Sequence, residues 1–390
     1  MEFPCQSTRA LLTRAFEDAF GAGGDVRVSF APGRVNLLGA HMDYNGGVVF
    51  PVAVPRGTYS MGRLRDDRKV RLLSVDRTPL FEGELTDLSF AEQDGWANYP
   101  KGVLAGLEQL DQGPGLDLCF AGDIPIGAGL SSSASIEICC AWMATRLRGQ
   151  KLGRSTLVEL ALEAERSFVG VPCGRMDQTA SALAQEGSLL RLDCQGGCMD
   201  YLPLADDVCF AVADSGTSRR LAAGRLAERV AECSEAIEGL RQIDPGLTHL
   251  ANVTQEDLEA AEGRLRPEVM RRVRHVHTEM ERCRAAGPLL EEGDMEAFGR
   301  LISASHASSR DLYEVSAEAL NELQEAAVEV DGVLGARLTG AGFAGCVGVL
   351  MRRGAEEEFA AHVSRRYEER FGFRPAVLFF EAAGGARDLD

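Results

Sequence analysis

The spacing of apolar residues along the chain follows two periods, and these predict a protein that mixes strands and helices. A period of two residues is typical of half-buried strands, and a period near 3.6 residues is typical of amphipathic helices. The first period predicts strands at 26–30, 48–54, 57–65, 69–74, 116–120, 188–193 and 208–214. The second predicts helices at 11–20, 155–168, 221–240, 254–261, 267–286, 295–308 and 317–327, with two more starting near residues 96 and 136. A length of 390 residues predicts two domains, and we place the boundary near residue 205, which gives 1–205 and 206–390.

A glycine-rich stretch joins one predicted strand to one predicted helix. Residues 122–135 read Gly-Asp-Ile-Pro-Ile-Gly-Ala-Gly-Leu-Ser-Ser-Ser-Ala-Ser. Glycines let backbone N–H groups approach an anion closely, and a helix N-terminus carries about half a positive charge. The three consecutive hydroxyls can bind phosphate oxygens or Mg²⁺. The stretch matches neither the Walker A loop nor the dinucleotide fingerprint. It therefore predicts a phosphate-binding loop of another kind, or a surface turn that caps a helix.

A second stretch, residues 31–47, is rich in side chains that bind ligands. Its polar members are Arg34, Asn36, His41, Asp43, Tyr44 and Asn45. Apolar residues at 35, 37 and 38 are expected to pack into a core and hold these polar groups in place. We therefore predict a binding role for this stretch, although polar loops are often merely solvated.

Two further segments are candidates for a functional site. Asp177 lies in the first turn of a predicted helix that follows Gly174. An aspartate at that position is either a functional carboxylate or a surface charge favoured by the helix dipole. Residues 332–350 form another glycine-rich loop between two apolar segments.

Composition restricts the possible partners. The chain has 390 residues, 45% of them hydrophobic and 26% charged, with a formal net charge of −18. That charge argues against a nucleic-acid or anionic-membrane surface, and an anionic substrate would need a locally basic pocket. The eleven cysteines lack metal-ligand spacing, and no signal or membrane segment is recognised. These observations predict a cytoplasmic protein with reduced thiols.

Three motifs, in this order, resemble the GHMP small-molecule kinases and, among them, the galactokinase branch. They are Gly-Arg-Val-Asn-Leu-Leu-Gly-Ala-His-Met-Asp-Tyr-Asn, the loop Pro-Ile-Gly-Ala-Gly-Leu-Ser-Ser-Ser-Ala, and Thr-Gly-Ala-Gly-Phe-Ala-Gly-Cys. The resemblance covers almost the whole chain. It implies an α+β fold, with an N-terminal α/β domain, a C-terminal ferredoxin-like domain and an active site in the cleft between them. We expect a monomer that acts on a small-molecule sugar.

The resemblance also implies roles for individual residues in sugar phosphorylation. Asp177 would accept the proton of the sugar's anomeric hydroxyl. Arg34 would keep that carboxylate ionised and stabilise charge on the transferred phosphoryl group. Asp43 would bind the hydroxyls at C3 and C4, and Gly174 would offer its backbone to the sugar. The other substrate-binding candidates in the second stretch are His41 and Tyr44.

An ATP and magnesium site follows from the same resemblance. Ser133 and Glu165 match the family's magnesium ligands, and hard oxygen ligands together with phosphates suit Mg²⁺. Trp96 and Tyr99 would lie near the adenine. The candidate ATP-binding residues of the glycine-rich stretch are Pro125, Gly127, Ala128, Gly129, Leu130, Ser131, Ser132, Ser133 and Ala134.

The chain departs from the galactokinase pattern at two places. Ala40 stands where galactokinases carry a glutamate that binds the C6 hydroxyl. Leu226, or else Arg225, stands where a sugar-binding tyrosine is expected, and Arg219 and Arg220 are additional cations in the same segment. Either of these two arginines is a candidate to bind an acidic substrate, or is a solvated helix charge.

These departures favour a substrate with a carboxylate at C6, D-galacturonic acid. Two like charges about 4–5 Å apart repel by roughly 3–4 kcal/mol at an effective dielectric constant near 20, and Ala40 removes that repulsion. The sequence Gly-Ala-His-Met-Asp also resembles the galacturonokinase variant of the motif. We predict a galacturonokinase. One alternative is a galactokinase that tolerates Ala40. A non-catalytic sugar sensor is a second alternative, and it has less support because the serine-rich loop is intact.

Overall fold

The computed structural model describes residues 6–124, 129–217 and 222–389. Over these residues the strands are β1 (Arg27–Asn36), β2 (Val48–Val49), β3 (Pro51–Leu64), β4 (Lys69–Ser74), β5 (Arg77–Glu84), β6 (Leu116–Gly122), β7 (Ser188–Asp193), β8 (Met199–Pro203), β9 (Val208–Asp214), β10 (Val333–Leu338), β11 (Cys346–Arg352), β12 (Ala376–Phe380) and β13 (Arg387–Asp388). The helices are α1 (Gln6–Phe20), α2 (Asn98–Leu110), α3 (Ser132–Leu147), α4 (Arg154–Glu163), α5 (Met176–Leu183), α6 (Ala222–Leu240), α7 (Gln255–Ala261), α8 (Pro267–Glu292), α9 (Met295–Asp311), α10 (Glu318–Val328) and α11 (Glu356–Phe371).

A six-stranded sheet supports the first half of the chain. Its order is β13-β1-β3-β6-β4-β5, and only β4 and β6 among its neighbouring strands run parallel. Helix α3 packs on β1 and β3, because its apolar side meets the buried face of the sheet. The register between β1 and β3 shifts between Pro32 and Arg34. A bulge of this kind redirects a side chain, here Arg34, at the end of a strand.

The second half of the chain is built on a four-stranded antiparallel sheet. The strand order is β10-β11-β9-β12, and α9, α10 and α11 pack around it. A third sheet has three strands in the order β2-β7-β8. These sheets confirm the predicted α+β class. The predicted domain boundary near residue 205 stays a prediction, and the last strand returns to pair with β1 in the first sheet.

One apolar cluster joins the two halves. It contains Leu37 and Phe50 from the first half and Phe210, Phe298 and Ile302 from the second, all of them buried. Apolar burial contributes about 25 cal/mol per Å², so this shared core holds the two halves against each other. The residues that follow β1 are fixed between them as a result.

The structure differs from the sequence-based elements in several places. Strands β5, β8, β12 and β13 and helix α11 were not predicted. For α11 a signal exists, since Phe359, Val363 and Tyr367 recur every fourth residue and are all buried. The predicted helix 155–168 ends as α4 at Glu163 and continues as a π-helical turn, Ala164–Val169. Such turns are common at functional sites.

None of the helices in the described ranges is long and apolar enough to cross a bilayer.

Replacing Asp117 by asparagine is expected to lower the free energy of unfolding by about 2–4 kcal/mol, since it breaks a buried ion pair network. Asp117 is 1% exposed, and its carboxylate pairs with Arg63, Arg65 and Arg71 across neighbouring strands. Urea denaturation at pH 7 measures the change. Asp200→Asn is the control, because this exposed carboxylate pairs only with surface Arg191 at 2.7 Å and should change stability by less than about 0.5 kcal/mol. Equal effects of the two substitutions would contradict the expectation.

Candidate active site

An ion pair between Arg34 and Asp177 lies at the centre of the site. Arg34 Nε donates to Asp177 Oδ1 and Arg34 Nη2 donates to Asp177 Oδ2, both at 2.7 Å. Nη1 donates to the carbonyl of Gly129 at 2.6 Å. Arg34 is 4% exposed, whereas a quarter of the Asp177 side chain is accessible. A bidentate guanidinium–carboxylate pair of this kind fixes the orientation of the carboxylate.

The glycine-rich stretch contacts this pair directly. The Arg34 N–H donates to the carbonyl of Leu130 at 3.1 Å. A Cβ on Gly33 would lie 2.3 Å from that carbonyl oxygen, so the close approach of the two segments requires glycine. The Ser131 hydroxyl donates to Asp177 Oδ2. Ser131 was predicted to bind phosphate, but its left-handed backbone, with φ of 60°, turns the hydroxyl to the carboxylate.

A first cavity of about 110 Å³, which we call the Asp43 cavity, lies beside the ion pair. It is lined by Arg34, Asn36, His41, Asp43, Tyr44, Pro172, Cys173, Met176, Asp177, Leu226, Arg337, Gly340 and Ala341. The structure therefore brings together six residues that the sequence placed at one site, namely Arg34, His41, Asp43, Tyr44, Asp177 and, from α6, Leu226. Asn36 was predicted only as a polar member of the stretch 31–47, and Arg337 was not predicted to belong to the site.

Asp43 and Gly174 contact each other in this cavity. The Gly174 N–H donates to Asp43 Oδ2 at 3.1 Å. A Cβ on Gly174 would lie 2.3 Å from the same oxygen, so the contact requires glycine. The pKa of Asp43 is raised to about 6: burial is the largest cause, the nearby Asp177 carboxylate adds to the rise, and Arg34 opposes both. Asp43 is therefore a carboxylate whose charge changes slightly below neutral pH.

A chain of hydrogen bonds fixes His41 on another wall of the Asp43 cavity. His41 Nδ1 lies 2.8 Å from the Tyr44 hydroxyl, which lies 2.9 Å from the Tyr313 hydroxyl. Cys233 Sγ is 3.0 Å from Tyr313. Burial lowers the pKa of His41 well below its usual value, so the ring is neutral. Its Nε2 atom is buried and has no hydrogen-bond partner in the described part of the chain.

Ala40 lies behind this wall and is 1% exposed. Its N–H donates to Glu279 Oε1 at 2.8 Å, and its carbonyl lies 3.1 Å from His275 Nε2. Both backbone groups are therefore bound by helix α8. Leu226 and Arg225 are the two alternatives for the position of the expected tyrosine. Leu226 lines the cavity, whereas Arg225 is exposed and its guanidinium carbon lies 4.2 Å from the centre of the Phe343 ring.

A larger cavity of about 750 Å³, the Trp96 cavity, opens on the other side of the glycine-rich stretch. Trp96, Tyr99, Ser132 and Ser133 line it, as the sequence predicted for an ATP site. The exposed Arg77, on β5, also lines it and was not predicted. Trp96 packs edge-on against Phe120, with the ring centres 6.1 Å apart. The cavity combines aromatic surface with hydroxyls at the start of α3.

The predicted magnesium ligands meet at the edge of the Trp96 cavity. Ser133 hydrogen-bonds to Glu165, which lies on the π-helical turn. Gln178 Nε2 donates to Glu165 Oε2 at 2.5 Å and to Glu137 Oε2 at 3.2 Å. Burial raises the pKa of Glu165, with Asp177 adding to the effect. A hydroxyl and one carboxylate beside a phosphate-sized opening fit Mg²⁺, which takes few protein ligands when phosphates supply the rest.

Several predicted residues are placed elsewhere or not described. The carbonyls of Gly129 and Leu130 accept hydrogen bonds from Arg34, and Ala134 is buried in α3. The predictions for Pro125, Gly127, Ala128, Arg219 and Arg220 fall outside the described residues.

Family models match most of the chain. One described as GHMP kinases N terminal domain matches residues 98–185, one described as Galactokinase galactose-binding signature matches residues 14–64, and one described as GHMP kinases C terminal matches residues 288–369. A galactokinase of Halalkalibacterium halodurans is 39% identical over 384 residues, which are 97% of each chain. A galactokinase of Streptococcus thermophilus is 38% identical over 97% of this chain and 99% of its own.

The fold agrees with these relatives. The crystal structure of Lactococcus lactis galactokinase complexed with galactose superposes with a TM-score of 0.93 at 33% identity, covering 98% of this chain and 100% of that one. A mevalonate kinase structure shares the fold alone, with a TM-score of 0.65 at 17% identity over 94% of this chain and 99% of the other. With the motifs, the site geometry and these relatives in agreement, the chain belongs to the galactokinase branch of the GHMP kinase family.

Proposed function

We propose that this protein is an ATP-dependent sugar 1-kinase that phosphorylates the anomeric hydroxyl of a galacto-configured hexose. D-galactose is the first candidate substrate. The relatives that are 38–39% identical over nearly the full length are galactokinases, and the Lactococcus lactis relative was crystallised with galactose. These comparisons weigh against the galacturonate specificity that the sequence favoured.

The observation that carries the proposal is the Arg34–Asp177 pair between the two cavities. Asp177 faces the Asp43 cavity and is held by two charge-assisted hydrogen bonds of 2.7 Å. An ionised carboxylate in this position can accept the proton of the anomeric hydroxyl. The anomeric oxygen then forms a bond to the γ-phosphorus of ATP, the bond between that phosphorus and the β–γ bridging oxygen breaks, and ADP leaves. The proton resides on Asp177 until it passes to solvent.

The other groups position the reactants and balance charge. Arg34 presents positive charge next to the transferred phosphoryl group, and the N-terminus of α3 adds its dipole. Ser133 and Glu165 are the residues that would hold Mg²⁺, which supplies charge neutralisation at the phosphates when bound. Ser131 orients the Asp177 carboxylate through its hydroxyl. In phosphoryl transfer most of the catalytic effect comes from such positioning and electrostatics.

Sugar recognition is proposed to rest on Asp43. Its carboxylate, restrained by the Gly174 N–H at 3.1 Å, has lone pairs left for two adjacent hydroxyls. The hydroxyls at C3 and C4 of a galacto-configured ring are the pair expected there. His41 Nε2, buried and unpartnered among the described residues, offers a further polar contact.

D-galacturonic acid is the second candidate, and Ala40 is the observation that favours it. A galactokinase glutamate at that position would repel a substrate carboxylate by roughly 3–4 kcal/mol at about 4–5 Å. The nearest carboxylate to Ala40, Glu279, is engaged by backbone N–H groups. A substrate with an acidic C6 group is therefore not opposed by a side chain at position 40.

The choice of substrate is tested by measuring ADP release with Mg-ATP and four sugars: D-galactose, D-galacturonate, D-glucuronate and L-arabinose. Turnover of a galacto-configured sugar is expected, and D-glucuronate should fail because its C4 hydroxyl is equatorial. A higher kcat/KM for galacturonate than for galactose would favour the second candidate. ATP binding without ADP release from any of the four would contradict the kinase and favour a sensor.

Asp177→Asn is expected to lower kcat at least about 1,000-fold, because an amide cannot accept the proton and no longer pairs with the Arg34 charge. ATP binding should change less than threefold, since Asp177 does not line the Trp96 cavity. Single-turnover ADP formation and nucleotide titration measure the two effects. Glu159→Gln is the control: this exposed carboxylate pairs with Arg175 at 2.7 Å, and its loss should leave kcat within a factor of two. A kcat near wild type for Asp177→Asn would contradict the assignment.

Sugar affinity is expected to fall in acid with a midpoint near the pKa of Asp43. Burial raises that pKa to about 6, so above this pH the carboxylate is ionised and can accept hydrogen bonds from two hydroxyl groups. Below it, protonation should raise the Kd for sugar by about tenfold per pH unit. Calorimetric titration with galactose between pH 5 and 8, without nucleotide, measures the profile. Asp43→Asn should bind weakly at every pH without this step, and a wild-type midpoint near pH 4 would rule out Asp43 as the titrating group.

A further inference from the structure

Arg337 belongs to the wall of the Asp43 cavity and has an unsatisfied hydrogen-bond donor in the described part of the chain. It lies on β10, is 1% exposed and lines the cavity. Its Nε donates to the Leu338 carbonyl at 2.8 Å, but its Nη1 is buried and has no hydrogen-bond partner among the described residues. An unpaired buried donor destabilises the folded protein, and more so when it is charged. Such a group next to a ligand cavity is a candidate to bind an acceptor on the ligand.

The neighbouring carboxylate cannot satisfy this donor. Glu279 Oε1 lies 3.9 Å from Arg337 Nη1, too far for a hydrogen bond. The same oxygen already accepts the N–H groups of Gly39 and Ala40 at 2.9 and 2.8 Å and the Ser305 hydroxyl at 2.5 Å. Three donors exhaust the lone pairs of one carboxylate oxygen. Glu279 is therefore fully used in holding the backbone at position 40.

The region around Arg337 carries a surplus positive charge. The second oxygen of Glu279 accepts Arg282 Nε at 2.8 Å, so one carboxylate serves two guanidinium groups. Burial lowers the pKa of His275 to about 4 and also lowers that of His41, which leaves both rings neutral. Arg337, Arg282 and Glu279 together carry one net positive charge, although the whole chain has a net charge of −18 and Asp43 adds a carboxylate elsewhere in the cavity.

Ala40 lies close to the same cation. Glu279 Oε1 is 2.8 Å from the Ala40 nitrogen and 3.9 Å from Arg337 Nη1, so a single oxygen connects the two. The methyl group of alanine supplies no acceptor to the arginine. A ligand oxygen is then a candidate partner for the Arg337 N–H.

We propose that Arg337 is a specificity-determining residue that binds a carboxylate on the sugar, at C6. This inference rests on the proposed sugar 1-kinase function. If O1 faces Asp177 and the hydroxyls at C3 and C4 face Asp43, the substituents left for Arg337 are those at C2 and C6. Of these, only C6 can carry a carboxylate in an intact pyranose with its anomeric hydroxyl. The subsite therefore accepts hexuronic acids of galacto configuration and extends the substrate range beyond neutral sugars.

The test compares D-galacturonate with D-galactose in wild type, Arg337→Met and Arg282→Met. Arg337→Met is expected to lower kcat/KM for galacturonate about 100-fold, mainly through KM, because a charge-assisted hydrogen bond in a buried site is lost. The value for galactose should fall less than tenfold. Arg282→Met removes a cation from the same carboxylate but does not line the cavity. It should therefore affect both sugars alike. Arg337→Lys should recover part of the galacturonate preference by restoring the charge.

Ala40→Glu gives a second, independent test in case Arg337→Met does not fold. A carboxylate introduced beside Arg337 would pair with it and repel the substrate carboxylate. Galacturonate kcat/KM should fall at least about 100-fold, and the galactose-to-galacturonate ratio should rise. A ratio that stays constant in both Ala40→Glu and Arg337→Met would overturn the proposal.

Direct binding separates this inference from the kinase itself. Calorimetric titration with galacturonate, without nucleotide, reports on Arg337 whether or not phosphate is transferred. Binding that is lost in Arg337→Met supports the subsite even if no ADP is formed, and in that outcome the proposed kinase function alone fails. Turnover of galactose by a wild-type protein that neither binds nor phosphorylates galacturonate would overturn the subsite and leave the kinase standing.

Discussion

The bidentate pair between Arg34 and Asp177 is the interaction on which the site depends. Arg34 stands at the bulge of β1 and reaches Asp177 on α5 and the carbonyl of Gly129 with separate nitrogens. One guanidinium therefore fixes the relative positions of a strand, a helix and the glycine-rich stretch. Because Arg34 is 4% exposed, its charge is screened little by solvent. The same contact that orders these segments places a positive charge beside the Asp177 carboxylate.

Buried charge in this protein is organised around individual carboxylates that each bind several donors. Glu279 joins the backbone at Gly39 and Ala40 to Ser305 and Arg282, across the two halves of the chain. Taking a charge out of water costs several kcal/mol unless hydrogen bonds replace its hydration. Burial opposes the ionisation of Glu279, but Arg282, His275 and Arg337 lower its pKa to about 2. As a result, the one carboxylate of Glu279 lies beside two guanidinium groups, those of Arg282 and Arg337, in a chain whose net charge is negative.

The two cavities divide the chemistry between them. The Trp96 cavity offers aromatic surface and hydroxyls, whereas the Asp43 cavity offers one carboxylate of raised pKa and several fixed donors. Ser131 links them, because it precedes Ser132 and Ser133 of the Trp96 cavity while its hydroxyl binds Asp177. A phosphoryl donor on one side and a hydroxyl acceptor on the other would meet at that carboxylate.

The sequence by itself determined the family, the α+β class and the central candidate residues of the site, because those residues lie in short local motifs. Arg34 and Asp43 were identified from the polar stretch 31–47 and Asp177 from the first turn of a predicted helix, and the resemblance to galactokinases supplied their roles. Tertiary structure alone decided which groups are left unsatisfied. Arg337 was not a candidate from the sequence. Its Nη1 atom has no hydrogen-bond partner among the described residues, because Glu279 Oε1 on α8 lies 3.9 Å away, and only the tertiary structure shows this. The orientation of Ser131 towards Asp177 likewise follows from a left-handed backbone that neighbouring segments impose. Motifs specify which side chains are present, whereas long-range packing decides which of their hydrogen bonds are already made.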